Sequence, residues 1–331
     1  MMNLERHETK FAIDIVRQAS QLVKQVQADM VSPAITKGDF SPVTVADFAS
    51  QALVGKALAE KFPGQPLVAE ENASELRHPD GLQTLEQITE FVSAVVPQTT
   101  PEKICEWIDY GVGEPTEVFW TLDPIDGTKG FLRGDQYAVA LALIINGKVQ
   151  IGVLGCPNIA DGFRPDSGGK GSLAIAVKGE GAWQTALDTD LDSFKPLKVS
   201  DIEEPEQARL MRSFEAGHTN IGKMDYLAKE LSVEVEPVRM DSQAKYMLLA
   251  AGKGELYLRF LSSRQPDYKE KIWDQAAGSL VVEEAGGKVS DLHGRPLDFS
   301  VGRTLLHNRG VLASNGHLHQ QALQALRAIN A

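Results

Sequence analysis

The densest chemistry in this chain lies in Leu122-Asp123-Pro124-Ile125-Asp126-Gly127-Thr128-Lys129-Gly130-Phe131. Two carboxylates bracket a proline that sets a turn, so Asp123 and Asp126 can point to one centre. Gly127 lets a ligand approach the backbone. If Thr128 to Phe131 open a helical turn, their free N–H groups can hold a phosphate. An Asp-Pro or Asp-Gly dipeptide alone marks an ordinary surface turn. Here the whole string follows the apolar run 118–122, and acids at a strand's end stand where α/β folds keep their sites.

Three other segments bring acids of the same kind. Leu67-Val68-Ala69-Glu70-Glu71-Asn72 sets two at the end of an apolar run, and Thr44-Val45-Ala46-Asp47 ends an extended stretch. Ile272-Trp273-Asp274-Gln275-Ala276-Ala277-Gly278 puts one beside a bulky anchor. Asp47 and Asp274 both read as acids at helix starts, where Asp also serves as a plain N-cap. Five carboxylates converging alone would repel one another and push several pKa values up. Two or three hard cations make such a cluster sensible, and an oxygen-only set without His or Cys favours magnesium over zinc. The formal net charge of −12 speaks against nucleic acid or an anionic membrane as partner. Bound cations would also offset the repulsion of an anionic substrate.

The elements that must position these residues can be read from periodicity. Phe11, Ile15, Leu22 and Val26 predict a helix over 4–29, and a second runs from Asp47 to the stop at Phe62-Pro63-Gly64. Leu85, Ile88, Phe91, Val92 and Val95 predict a third, ended by Pro97. Strands follow at 118–122, 137–145, 149–154 and 173–177, with Asn146-Gly147 as a hairpin turn. The stretch 165–172 reads as a mobile loop. It lacks the leading Gly and the trailing Ser/Thr that a phosphate loop needs around Gly169-Lys170. Composition turns acidic and polar around 188–205, which predicts domains over 1–195 and 196–331. In the second, strands at 233–239 and 256–260 and helices at 245–251, 273–285 and 318–329 complete a mixed α/β chain with an antiparallel component.

With 331 residues, 43% apolar and 24% charged, the chain can bury a sizeable core. It has no apolar stretch of membrane-spanning length. The polar N-terminus reads as neither signal nor transit peptide, so the expected location is cytoplasmic. Cys105 and Cys156 are expected to be buried structural thiols, with no disulfide framework.

These strings resemble the lithium-sensitive, magnesium-dependent phosphatases of the inositol monophosphatase superfamily. The resemblance rests on Asp47, Glu70-Glu71, Asp123-Pro124-Ile125-Asp126-Gly127-Thr128 and Trp273-Asp274-Gln275-Ala276-Ala277-Gly278, in the family's order. It implies an αβαβα sandwich. One metal would be held by Glu70, Asp123 and the carbonyl of Ile125, and a second by Asp123, Asp126 and Asp274. Asp47 and Thr128 would help activate the attacking water, beside a third and weaker metal. The phosphoryl oxygens would rest on the amides near Gly127 and Thr128.

The superfamily handles several substrates, so its shared site cannot choose among them. Glu215-Ala216-Gly217-His218-Thr219, Asp241-Ser242-Gln243-Ala244-Lys245-Tyr246 and Leu256-Tyr257-Leu258-Arg259 look like the 3′(2′),5′-bisphosphate nucleotidase branch. So do Ser41-Pro42-Val43-Thr44-Val45-Ala46-Asp47 and Glu70-Glu71-Asn72-Ala73-Ser74-Glu75-Leu76. The resemblance implies that His218, Ser242, Lys245 and Arg259 contact a nucleotide bisphosphate, with 3′-phosphoadenosine 5′-phosphate as substrate and 3′-phosphoadenylyl sulfate as a second candidate. A fixed phosphate calls for the point charge of a Lys and the fork of an Arg. Two alternatives stay open: an inositol polyphosphate 1-phosphatase, and a nucleotide-binding sensor without turnover. The expected assembly is a monomer. The stretch 260–268 is longer and more polar than the branch suggests, and Arg264 is a candidate to share the phosphate with Arg259.

Overall fold

The computed structural model describes residues 6–30, 42–159, 169–189, 193–214, 221–261, 265 and 267–330. Two long helices, α1 (His7–Met30) and α2 (Pro42–Lys61), open the chain. After β1 (Leu67–Ala69) come α3 (Leu82–Ser93), α4 (Pro101–Asp109) and β2 (Val118–Asp126). The short α5 (Thr128–Arg133) leads to β3 (Ala138–Ile145), β4 (Lys148–Cys156), β5 (Ser172–Val177), β6 (Gly181–Ala186) and β7 (Lys195–Pro196). These seven strands form one sheet in chain order, β1 and β2 parallel and the rest antiparallel.

The second sheet runs β11-β12-β10-β8-β9. Its strands are β8 (Leu210–Arg212), β9 (Val238–Arg239), β10 (Leu256–Arg259), β11 (Lys288–Ser290) and β12 (Val311–Ser314). The helices α6 (Ile221–Glu230), α7 (Ala244–Ala250), α8 (Ala276–Glu284) and α9 (His319–Ala328) alternate with them.

Period-two alternation assigns each face of the first sheet to a different core. Val139, Leu141 and Leu143 pack with Val16 and Val23 of α1 and Ala49 of α2. Ala138, Ala140 and Ala142 face the other way, toward Ala276, Ala277 and Leu280 of α8 and Tyr246 of α7. Small residues on that face let α8 lie close: a Cβ on Gly152 would stand 2.7 Å from the carbonyl oxygen of Ala277. The same core takes in Met211, Tyr257, Val289 and Ala313 from one face of the second sheet. The opposite face, through Leu210, Leu258 and Leu312, meets α6 and α9. The layers are therefore helix, sheet, helix, sheet, helix, as the resemblance implied. Among the described residues no helix is long and apolar enough to cross a membrane.

Several local expectations shift. Asp47 does not open a helix. α2 starts at Pro42, whose fixed φ and missing N–H suit a first helical position, so Asp47 lies well inside it. Asp274 likewise precedes α8, which begins at Ala276. The predicted strand over 233–239 shrinks to its last two residues, because the Val233 N–H turns back to the Ala228 carbonyl at 2.9 Å and closes α6. The helices α4 and α6 and the strands β6, β7, β8, β11 and β12 have no counterpart among the elements expected from periodicity. Cys105 and Cys156 are both buried, unpaired thiols. The loop at 165–168, His218 and Arg264 lie outside the described residues.

Candidate active site

β2 carries the central acids, and its end is irregular for a physical reason. Asp123 pairs with Ala140 and Asp126 with Ala138, so two residues, Pro124 and Ile125, stand opposite one. Pro124 has no N–H for the ladder, and the resulting bulge turns the strand. Asp123 is buried, and its Oδ1 has no hydrogen-bond partner. Gly127 then takes the left-handed conformation (φ 96°, ψ 43°) and starts α5. The first N–H groups of any helix lack intrahelical acceptors, and Gly127 to Gly130 line a cavity of about 320 Å³.

The same cavity is lined by Glu70, Asp123, Asp126 and Asp274, by Lys245 and Arg259, and by Ile125, Thr128 and Ser242. Of the sequence-predicted residues, Asp47 alone among those described is not part of this lining. It is buried behind, within electrostatic reach of Glu71 and Glu70. Lys245 is also buried: its Nζ lies 3.2 Å from Ser213 Oγ and from the Met240 carbonyl, and 5.0 Å from the Tyr257 ring centre.

Burial dominates the titration of the acids. It pushes Asp47 up, helped by Glu71 and Glu70, and pushes Glu70 up to about 7, helped by Glu71 and Asp126. Asp123 and Asp274 rise well above the ordinary range through burial and their acidic neighbours. Asp126 rises through burial, although Lys245 and Arg259 pull it down. Burial also lowers Lys245 to about 8, against the pull of Asp126 and Asp241. Such a set fits hard cations: oxygen donors only, each acid costly to ionise alone, and one buried carboxylate oxygen without a partner. Among the described residues no three of the acids close tightly enough to enclose an ion as they stand.

Several supporting residues carry no motif signal. Gln243 donates its backbone N–H to Asp126 Oδ2 (2.7 Å) and its side-chain amide to the Trp273 carbonyl (3.0 Å), and accepts from the Gly278 N–H (3.1 Å). One buried glutamine thus joins Asp126, through its backbone, to the segment of Asp274 and α8, through its side chain. Gln51, one turn after Asp47 on α2, exchanges two hydrogen bonds with the backbone of Glu71 (2.7 and 3.0 Å). The i, i+4 spacing from Asp47 was its only trace in the sequence. Ser213, Tyr268 and Asp241 complete the lining. Ser242 holds a left-handed φ of 65°, an uncommon conformation for a residue with a Cβ.

Comparison with known proteins agrees with this geometry. The inositol monophosphatase family profile matches residues 5–331. A 3′(2′),5′-bisphosphate nucleotidase of Schizosaccharomyces pombe is 41% identical over 342 residues, covering 97% of this chain and 95% of its own. A 3′(2′),5′-bisphosphate nucleotidase of Oryza sativa is 43% identical, with 93% and 90% covered. Among solved structures, Mycobacterium tuberculosis SuhB aligns with a TM-score of 0.62 at 22% identity over 96% of this chain and 95% of that one. The Thermotoga maritima IMPase aligns at 0.65 and 18% identity, covering 98% of each. The structural likenesses speak for the fold, and the sequence relatives speak for the branch. The chain belongs to the inositol monophosphatase family and, within it, to the 3′(2′),5′-bisphosphate nucleotidase branch.

Proposed function

We propose that this chain hydrolyses the 3′-phosphate of 3′-phosphoadenosine 5′-phosphate, releasing AMP and phosphate. The observation that carries the reading is one cavity lined by the acids Glu70, Asp123, Asp126 and Asp274 together with the cations Lys245 and Arg259. A substrate with two phosphates suits such a cavity, one group met by the metal cations that the acids would hold and the other by Lys245 and Arg259. The relatives named as 3′(2′),5′-bisphosphate nucleotidases support the choice of nucleotide.

In this reading Glu70, Asp123, Asp126, Asp274 and the Ile125 carbonyl hold two or three magnesium ions. Bound there, magnesium would offset the charge of the acids and of the phosphoryl oxygens and would supply an acidified water. Thr128, on the cavity wall, would orient the water for attack, and Asp47, buried behind, would take up its proton. The backbone N–H groups from Gly127 onward take the phosphoryl oxygens as charge develops there. Lys245 and Arg259 bind the phosphate that stays, and Ser242 and His218 align the nucleoside.

The test is phosphate release from 3′-phosphoadenosine 5′-phosphate with magnesium titrated against a chelator, beside an inositol bisphosphate. Preference for the inositol compound would move the substrate and leave the chemistry. Tight nucleotide binding with no phosphate released would make the chain a sensor.

A further inference from the structure

Behind the cavity wall lies a carboxylate that neither the metal set nor the substrate set uses. Glu270 is 4% exposed. Its Oε2 stands 2.9 Å from Arg259 Nε and accepts from Gln275 Nε2 at 2.9 Å. Gln275 in turn accepts from the hydroxyl of buried Tyr246. The Glu270 carbonyl accepts from the Leu305 N–H at 2.9 Å, fixing the backbone beneath. Glu270 is thus held from two sides and sets one oxygen against Arg259 Nε as an ion pair rather than an aligned hydrogen bond.

Arg259 has a second acid within reach. Its Nη2 lies 4.0 Å from Asp274 Oδ2, and both residues line the cavity while Glu270 does not. A partly buried guanidinium that loses its partner gains by closing on the nearest remaining carboxylate. Here that carboxylate is Asp274, proposed above as a metal ligand. A guanidinium closed onto Asp274 would withdraw its own fork from a bound phosphate and compete with a cation for the same oxygen.

We propose that Glu270 is a positioning residue: it anchors Arg259 through Nε, so that the Nη donors stay turned to the phosphate that is not cleaved and off Asp274. This rests on the nucleotidase reading above, since it assigns that phosphate to Arg259. The Nε anchor uses the edge of the guanidinium that does not face the ligand, and leaves a forked pair of donors for it.

Glu270→Gln tests the idea, since it removes the charge, keeps the shape, and leaves a side-chain oxygen that can still accept from Gln275. Affinity for the product AMP, measured by calorimetry, should fall about 5- to 50-fold, as expected for one weakened charge-assisted contact. The KM for 3′-phosphoadenosine 5′-phosphate should rise by a similar factor. Hydrolysis of 3′-AMP, which lacks the second phosphate, should change less than about 3-fold. In an Arg259→Ala background the substitution should cost little more, the non-additivity of two residues acting as one. Equal losses on both nucleotides, or full additivity with Arg259→Ala, would overturn the proposal and make Glu270 a packing residue. If Glu270→Gln unfolds, Glu270→Asp, which keeps the charge on a shorter arm, should show the same selective loss of AMP affinity, and unchanged affinity would overturn the proposal equally. A wild type that ignores the nucleotide altogether would instead remove the functional reading, a separate outcome seen before any variant is made.

Discussion

The carboxylate of Asp126 accepts a 2.7 Å hydrogen bond from the backbone N–H of Gln243. This joins the end of a strand in the first sheet to the turn before α7, more than a hundred residues later. The contact fixes Asp126 Oδ2 at the cavity that Asp126 lines. It follows that Asp126→Asn should keep the fold, because an amide oxygen can still accept from Gln243. Turnover should nevertheless fall by at least about 100-fold even with excess magnesium, since a neutral amide binds the ion poorly. Phosphate release and the thermal midpoint, measured together, check both halves of this statement. Near-wild-type turnover at limiting magnesium would remove Asp126 from the metal set.

Gly127 cannot be replaced cheaply. Its φ is 96°, and a Cβ there would stand 2.8 Å from Ser242 Cβ and 3.2 Å from the Gln136 carbonyl oxygen. The left-handed conformation alone costs an Ala about 1–2 kcal/mol, and the contact with Ser242 adds to it. Gly127→Ala should lower the thermal midpoint by about 3 °C or more and reduce phosphate release, as α5 and Ser242 are pushed apart. An unchanged midpoint would mean that the turn relaxes freely.

Thr128→Ala should lower kcat about 10- to 100-fold and leave KM within about 3-fold. Its hydroxyl is assigned to the attacking water, an interaction used in the transition state. A raised KM at constant kcat would make Thr128 an ordinary phosphate contact.

Lys245, proposed above to bind the phosphate that stays, should set a pH limit on substrate capture. Burial lowers its pKa to about 8, with Arg259 pulling the same way and Asp126 and Asp241 opposing. As pH rises through about 8 the free enzyme loses this charge, so kcat/KM should decline on the alkaline side. Lys245→Arg should move that decline upward, because a guanidinium stays charged. A decline at the same pH in both proteins would point to another group.

Metal removal should make stability depend on pH in a defined direction. Glu70 is raised to about 7, and Asp47, Asp123, Asp126 and Asp274 are raised with it. The folded, metal-free protein therefore binds protons more tightly than the unfolded chain. For Glu70 the stabilisation from protonation is complete below its unfolded value near 4 and is lost as pH rises through about 7, and the other acids act in the same direction. Magnesium takes the place of those protons, so its gain in thermal midpoint should be larger at pH 8 than at pH 6. Equal gains at the two values would contradict the convergence of these acids on one metal site.

Much of this protein is written locally. A strand followed by Asp-Pro-Ile-Asp-Gly-Thr carries its own turn, because Pro124 lacks a donor and Gly127 tolerates positive φ. The bulge and the helix start follow from those residue types alone. The Asn146-Gly147 hairpin and the long amphipathic α1 are legible for the same reason, as periodicity and turn chemistry act over a few residues. Where local signals competed, the reading slipped: Asp47 looked like a cap because Asp caps helices, yet Pro42 starts α2 earlier. What only the tertiary structure decided is how distant residues meet. No spacing announces that Gln243 would bond Asp126, that Gln51 would hold Glu71, or that Glu270 would stand behind Arg259. Lys245, a residue type that is usually solvated, is buried because three layers of packing close over it. Burial and proximity across layers set the charge state of the site, and both belong to the folded whole rather than to any segment.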